Sequence, residues 1–167
     1  MTARVLLTLW RHGEAGEASS DVARELTERG CVEVSAMASD FRAWLDTTGL
    51  PVATTLYCSP LIRAQQTAAL LAQQGCAERP AICAGLVPGA IPEGFADSAF
   101  DDCAHVVAVT HQPFLSRAIA FWSDDATLAP LAPAGYTTLQ MTCFERGGAA
   151  VLRHRPDPRS VGQEGFS

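Results

Sequence analysis

The feature that most constrains this 167-residue chain is a nearly continuous apolar run close to its start, residues 5–10 (VLLTLW), broken abruptly by Arg11-His12-Gly13. A strand without alternation of apolar and polar residues must be covered on both faces, as strands inside a parallel sheet are. The pattern returns at residues 105–110 (HVVAVT), and a shorter β-rich run occupies 53–58 (ATTLYC). Between the first two runs the apolar period becomes helical. Val34, Met37, Phe41, Trp44 and Leu45 recur at three- and four-residue spacing, with Thr27 as N-cap and Gly49 as stop. This stripe reads as core packing. Ser59-Pro60 reads as an N-cap with proline at the first helical position, opening a helix that ends near Gln74 at Gly75.

Residues 81–86 are a candidate short strand and 87–95 a Pro/Gly-rich surface loop, while Pro113 suits the start of a helix reaching Trp122. Two last β-like runs, 136–144 and 149–154, join through Arg146-Gly147-Gly148 as a hairpin closing one side of the sheet. The alternation predicts an α/β fold, a three-layer sandwich with a mainly parallel central sheet flanked by helices. At roughly 100–200 residues per domain, residues 1–155 are expected to form one domain. The polar, Pro/Gly-containing stretch 156–167 is expected to be a loosely ordered C-terminal tail.

Composition removes several function classes. The apolar fraction of 48% and charged fraction of 18% are ordinary globular values, so disordered and coiled-coil classes are disfavoured. The net charge is -6, with 12 basic residues, all arginine, against 18 acidic ones and no long run of either sign. That argues against nucleic acid as a partner. The first apolar run is too short for a secretory core, and no stretch reaches the roughly 18 apolar residues of a membrane span. No membrane association is expected, and a cytoplasmic location is. The six cysteines are then expected as reduced, mostly buried thiols; they contain no C-x-x-C pair, so neither a zinc knuckle nor a thioredoxin-like centre is signalled.

In open α/β sheets the ligand site lies beyond the carboxyl ends of the strands, where helix N-termini also point. Three junctions qualify here: Arg11-His12-Gly13-Glu14, Ser59-Pro60-Leu61-Ile62-Arg63 and His111-Gln112-Pro113. Two arginines and two histidines thereby converge on one rim. Guanidinium forks suit phosphate oxygens. A neutral histidine can attack phosphorus, and a second one, if protonated, can neutralise charge on the equatorial oxygens. The set suffices for phosphoryl transfer from a phosphate monoester or phosphoramidate without a metal or cofactor. Rival chemistries fit less well. Four residues separate Cys58 from Arg63, one fewer than the loop of cysteine-dependent phosphatases requires, and no Gly-x-Ser-x-Gly elbow is present. His12 and His111 show no metal-ligand spacing.

Arg11-His12-Gly13-Glu14-Ala15, followed in order by Ser59-Pro60-x-x-Arg63-Ala64-x-x-Thr67 and Thr110-His111-x-Pro113, resembles the histidine phosphatase superfamily, also called phosphoglycerate mutase-like. The likeness covers residues 4–155. The small size and Asp21-x-x-Arg24-x-Leu26-Thr27-x-x-Gly30 are further similar to its SixA-type branch of short bacterial phosphohistidine phosphatases. The resemblance implies that His12 is the nucleophile forming a phosphohistidine intermediate, that Arg11 and Arg63 bind the phosphoryl group with His12, and that His111 completes the pocket without a metal. It implies as partner a protein carrying phosphohistidine or a small phosphorylated metabolite.

There is one departure. Larger relatives carry a carboxylic acid shortly after the third strand, where Leu86-Val87-Pro88-Gly89 has none. Glu14, Asp21 and Glu93 are candidate substitutes, and the chain can also lack one. A sugar alkoxide needs a positioned proton donor to leave, whereas a phosphorylated imidazole can take its proton from solvent. The departure therefore favours phosphohistidine over sugar phosphates. The alternatives are a small-molecule phosphomonoesterase on the same machinery and a non-catalytic phosphate-binding docking module. His105 and His154 lack companion motifs and read as structural or solvent-facing, Asp101 and Asp102 as solvated charges or caps. Glu14 orients His12 or forms a loop ion pair; Arg24 reaches back to the pocket or lies on the surface.

Overall fold

A computed structural model describes residues 5–96, 100 and 103–161. Asp101 and Asp102 and residues 162–167 of the expected tail lie outside the described residues. In chain order the elements are β1 (Val5–Arg11), α1 (Glu28–Thr48), β2 (Thr55–Cys58), α2 (Ile62–Gln73), β3 (Pro80–Ile82), α3 (Pro92–Ala96), β4 (His105–Thr110), α4 (Phe114–Ser123), β5 (Tyr136–Met141) and β6 (Ala149–Arg155). Short 3-10 turns follow at Ala84–Leu86 and Pro158–Ser160. The six strands form one sheet in the order β3-β2-β4-β1-β5-β6. The pairs β3-β2, β2-β4 and β4-β1 are parallel, and β1-β5 and β5-β6 antiparallel. This is the mainly parallel α/β sandwich that the alternation predicts.

The central strands β1 and β4 separate two apolar layers. Leu7 and Leu9 of β1 pack toward Phe114, Leu115 and Trp122 of α4, whereas Trp10 faces Val34, Met37, Phe41 and Leu45 of α1 and Leu71 of α2. Coverage on both faces explains why β1 reads as an unbroken apolar run. Trp10 stacks on Tyr136 with ring centroids 4.5 Å apart and meets Phe41 edge-on at 5.4 Å. The polar interruption within the sheet is satisfied: Thr8 Oγ1 lies 2.8 Å from both His105 Nε2 and Thr138 Oγ1, and His105 Nδ1 lies 2.7 Å from the Pro51 carbonyl. His105 is thus a buried structural histidine, and burial lowers its pKa. His154 pairs with Thr137 Oγ1.

Helix α1 has the ends its sequence specifies. Thr27 Oγ1 accepts from the Gly30 amide at 2.9 Å, and Gly49 takes the left-handed φ of 69°. At α2 the expectation needs correction: the N-cap is Leu61, with no side-chain cap, and Ser59 precedes it. Ser59 continues the carboxyl end of the internal strand β2, where its amide donates to Val109 O and its hydroxyl meets His111. The third strand spans only three residues, because the chain turns into the 3-10 segment. The loop expected at 87–95 is only partly surface. It leads into α3, and Phe95 is fully buried, edge-on to Phe114. Beyond β6, Pro156 O accepts from Ala132 N, and Val161 packs against the α1 layer. No helix among the described residues is long and apolar enough to cross a membrane.

Candidate active site

Strand register assembles the site. Arg11 pairs with Thr110 across β1/β4, and Cys58 with Val109 across β2/β4. The residues just past these strand ends, His12, Ser59 and His111, therefore lie side by side. Two further backbone bonds extend the ladder, His12 N to Thr110 O at 3.2 Å and Ser59 N to Val109 O at 3.0 Å. The two imidazole centroids are 5.0 Å apart. They line a cavity of about 380 Å³ together with Arg11, Arg24, Arg63, Glu14, Asp21 and Pro88. A hollow of about 410 Å³ beside α4 contains neither histidine.

The hydrogen bonds of His12 decide its tautomer. Its Nδ1 lies 2.7 Å from the Gly13 carbonyl, which only accepts, so Nδ1 carries the proton. Its Nε2 accepts from Arg63 Nε at 3.3 Å and so presents a lone pair. Burial, with Arg63 and Arg11 adding positive charge nearby, lowers the His12 pKa to about 4. Burial first, then His12 and Arg63, lowers that of His111 to about 3. Both rings are neutral near pH 7. A protonated second histidine would thus require a bound anion to raise its pKa. His111 Nε2 lies 2.7 Å from Ser59 Oγ, and its buried Nδ1 has no hydrogen-bond partner among the described residues.

The loop after β1 is clamped to its surroundings. Gly13 N donates to Thr67 Oγ1 at 3.0 Å, and Thr67 Oγ1 donates to Arg63 O at 2.8 Å, joining the histidine loop to α2. A Cβ at Gly13 would come within 2.8 Å of Val34 Cγ2, so α1 approaches closer than a larger residue allows.

Arg63 is 5% exposed. It donates through Nη1 to Asp21 O at 2.7 Å and through Nη2 to Asp21 Oδ2 at 3.2 Å. Arg11 Nη1 donates to Leu131 O at 2.8 Å, while its buried Nε has no hydrogen-bond partner among the described residues. Arg24 reaches back to the pocket, donating to Gly16 O and Ala15 O. The three candidate acids separate. Glu14 accepts from the Thr27 hydroxyl and faces Arg29, so it forms a loop ion pair and makes no bond to His12. Asp21 sits on Arg63. Glu93 is an exposed residue of α3 and does not line the cavity. Sequence reasoning did not assign site roles to Ser59, Thr67 or Pro88, although Ser59 and Thr67 stand inside the motif that contains Arg63.

Residues 7–86 match the family model of the histidine phosphatase superfamily (branch 1). No curated protein matches the chain. Among solved structures it is similar to the protein histidine phosphatase SixA complexed with tungstate, with 21% identity, 93% of this chain and 98% of that one covered, and a TM-score of 0.75. A protein described as a SixA phosphohistidine phosphatase from Nakamurella multipartitia aligns at 23% identity over 92% and 98% of the two chains, TM-score 0.69. A mycobacterial glucosyl-3-phosphoglycerate phosphatase aligns at 15% identity over 92% and 100%, TM-score 0.64. At these identities the structural likeness establishes the shared fold.

Proposed function

We propose that this chain, whose residues 7–86 match the family model of the histidine phosphatase superfamily, is a metal-independent phosphatase acting on phosphohistidine in a signalling or carrier protein. The Nε2 lone pair of neutral His12 attacks phosphorus, a P–Nε2 bond forms, and the bond to the leaving imidazole nitrogen breaks with its electron pair. Water then attacks phospho-His12, releases inorganic phosphate and restores the lone pair. Arg11 and Arg63 hold the phosphoryl oxygens, and His111 supplies a further donor, charged once the bound anion raises its pKa.

One observation carries the preference for a phosphoramidate over a sugar ester: among the described residues, the two carboxylates that line the cavity, Glu14 and Asp21, are both already engaged, so neither is poised to protonate a leaving alkoxide. The segment in which larger relatives carry their acid contributes Pro88 to the wall. Glu14 is engaged by Thr27 and Arg29. Hydrogen bonds from Arg63 hold the Asp21 carboxyl below its ordinary range, so it stores no proton at neutral pH. A phosphorylated imidazole protonated from solvent departs as a neutral ring without such a donor. The SixA likeness supports the same choice.

The test compares hydrolysis of a phosphohistidine-bearing carrier domain, an aryl phosphate and a panel of sugar phosphates, all in EDTA, with His12→Ala as control. The expected result is fastest turnover of the carrier and none by the variant. Turnover of small molecules alone would move the substrate to a phosphorylated metabolite and keep the mechanism. No turnover of any substrate would leave a phosphate-binding docking module.

A further inference from the structure

We propose that Asp21 is a resident competitor for the phosphoryl site, a carboxylate that fills the binding edge of Arg63 in the empty enzyme and lowers affinity for dianionic phosphate. The proposal rests on the reading of this cavity as a phosphoryl pocket. A guanidinium offers its side-on fork through Nε and one terminal nitrogen, and a phosphoryl group takes that fork with two oxygens. On Arg63 both prongs are occupied. Nε points to His12 Nε2 at 3.3 Å and Nη2 to Asp21 Oδ2 at 3.2 Å, while Nη1 is held by the Asp21 carbonyl at 2.7 Å. The first acceptor is the atom that would attack phosphorus. The second lies where a phosphoryl oxygen beside that atom would bind.

Two features make Asp21 a movable occupant. Its side chain is 60% exposed, whereas that of Arg63 is 6% exposed, so the carboxylate can leave while the arginine stays. Its other oxygen, Oδ1, lies 3.3 Å from Arg24 Nη1, a second cation on which it can pivot while the main-chain bond to Arg63 persists. The backbone carbonyl thus orients Arg63 and the side chain competes for it. Because the carboxylate remains near the pocket after moving, it repels bound phosphate and so favours release of the product.

The test is calorimetric titration of inorganic phosphate at pH 7 into wild type, Asp21→Asn and Asp21→Ser, with thermal melts to verify folding. Exposed ion pairs of this kind imply that both variants bind phosphate about two- to fivefold more tightly. Unchanged or weaker binding by both variants overturns the proposal, since a side chain that merely holds Arg63 in place would weaken binding when removed. Binding by the variants and not by wild type supports it. If none of the three binds, the phosphoryl pocket itself is refuted and this inference with it. Tighter binding by the variants, with no hydrolysis of any phosphorylated substrate by wild type, would uphold the competitor and overturn the catalytic reading.

Discussion

The chemistry of His12 depends on which ring nitrogen carries its proton. The Gly13 carbonyl claims Nδ1–H, which leaves Nε2 facing Arg63 with its lone pair. Ring ¹⁵N shifts should therefore show the Nδ1–H tautomer between pH 5 and 8, with protonation only near pH 4; a titration near the ordinary 6.5 would contradict the assigned environment. The same lowering bears on stability. A buried histidine with a depressed folded pKa gives stability that is complete above the unfolded value near 6.5 and is lost as pH falls toward the folded value. For His12 at about 4 and His111 at about 3, lowering the pH from 7 to 5 should cost roughly 2 kcal/mol each. Urea midpoints at the two pH values measure this, and His12→Ala should reduce the difference. Arg63→Lys keeps a charge and loses the fork. Removing one such preorganised donor set should lower kcat by roughly 100-fold or more, read in a carrier-domain assay.

At the scale of elements, the joint between the β1 loop and α1 holds the site. Thr27 both caps α1 and donates to Glu14. Thr27→Ala should cost about 1 kcal/mol in chemical denaturation. Gly30→Ala is more disruptive, because its Cβ would overlap the Glu14 carbonyl oxygen. It should destabilise by roughly 1–3 kcal/mol and lower activity by shifting the loop that carries His12; full activity with unchanged stability would show that α1 can yield at this contact. The α1 ends were legible because caps and stops are local signals, Thr27 three residues before Gly30 and Gly49 in left-handed backbone. Ser59 was misread because the partner of its hydroxyl, His111, lies 52 residues away. Phe95 was missed for a similar reason. A Pro/Gly-rich stretch signals a loop, while only the folded contacts with Phe114 and Tyr57 bring that ring into the core.

For the whole molecule, one sheet with a core on each face brings three strand ends to one rim, and parallel register aligns His12, Ser59 and His111 there. That much was readable from two unbroken apolar runs and the residues just past them. The engagement of Asp21 with Arg63 was not, since it joins the loop after β1 to α2 across 42 residues of sequence. Phe41 lies at the centre of the α1 layer, fully buried beneath Trp10 and Tyr136. Phe41→Ala should cost about 3–5 kcal/mol in thermal or chemical unfolding. The central claim is that His12 becomes covalently phosphorylated. The most direct measurement is rapid quench of the protein with a phosphoryl-labelled carrier domain, followed by alkaline peptide mapping. The account predicts an acid-labile phosphoryl group on the peptide containing His12, absent in His12→Ala. Turnover without label on that peptide, or label undiminished in the variant, would contradict it.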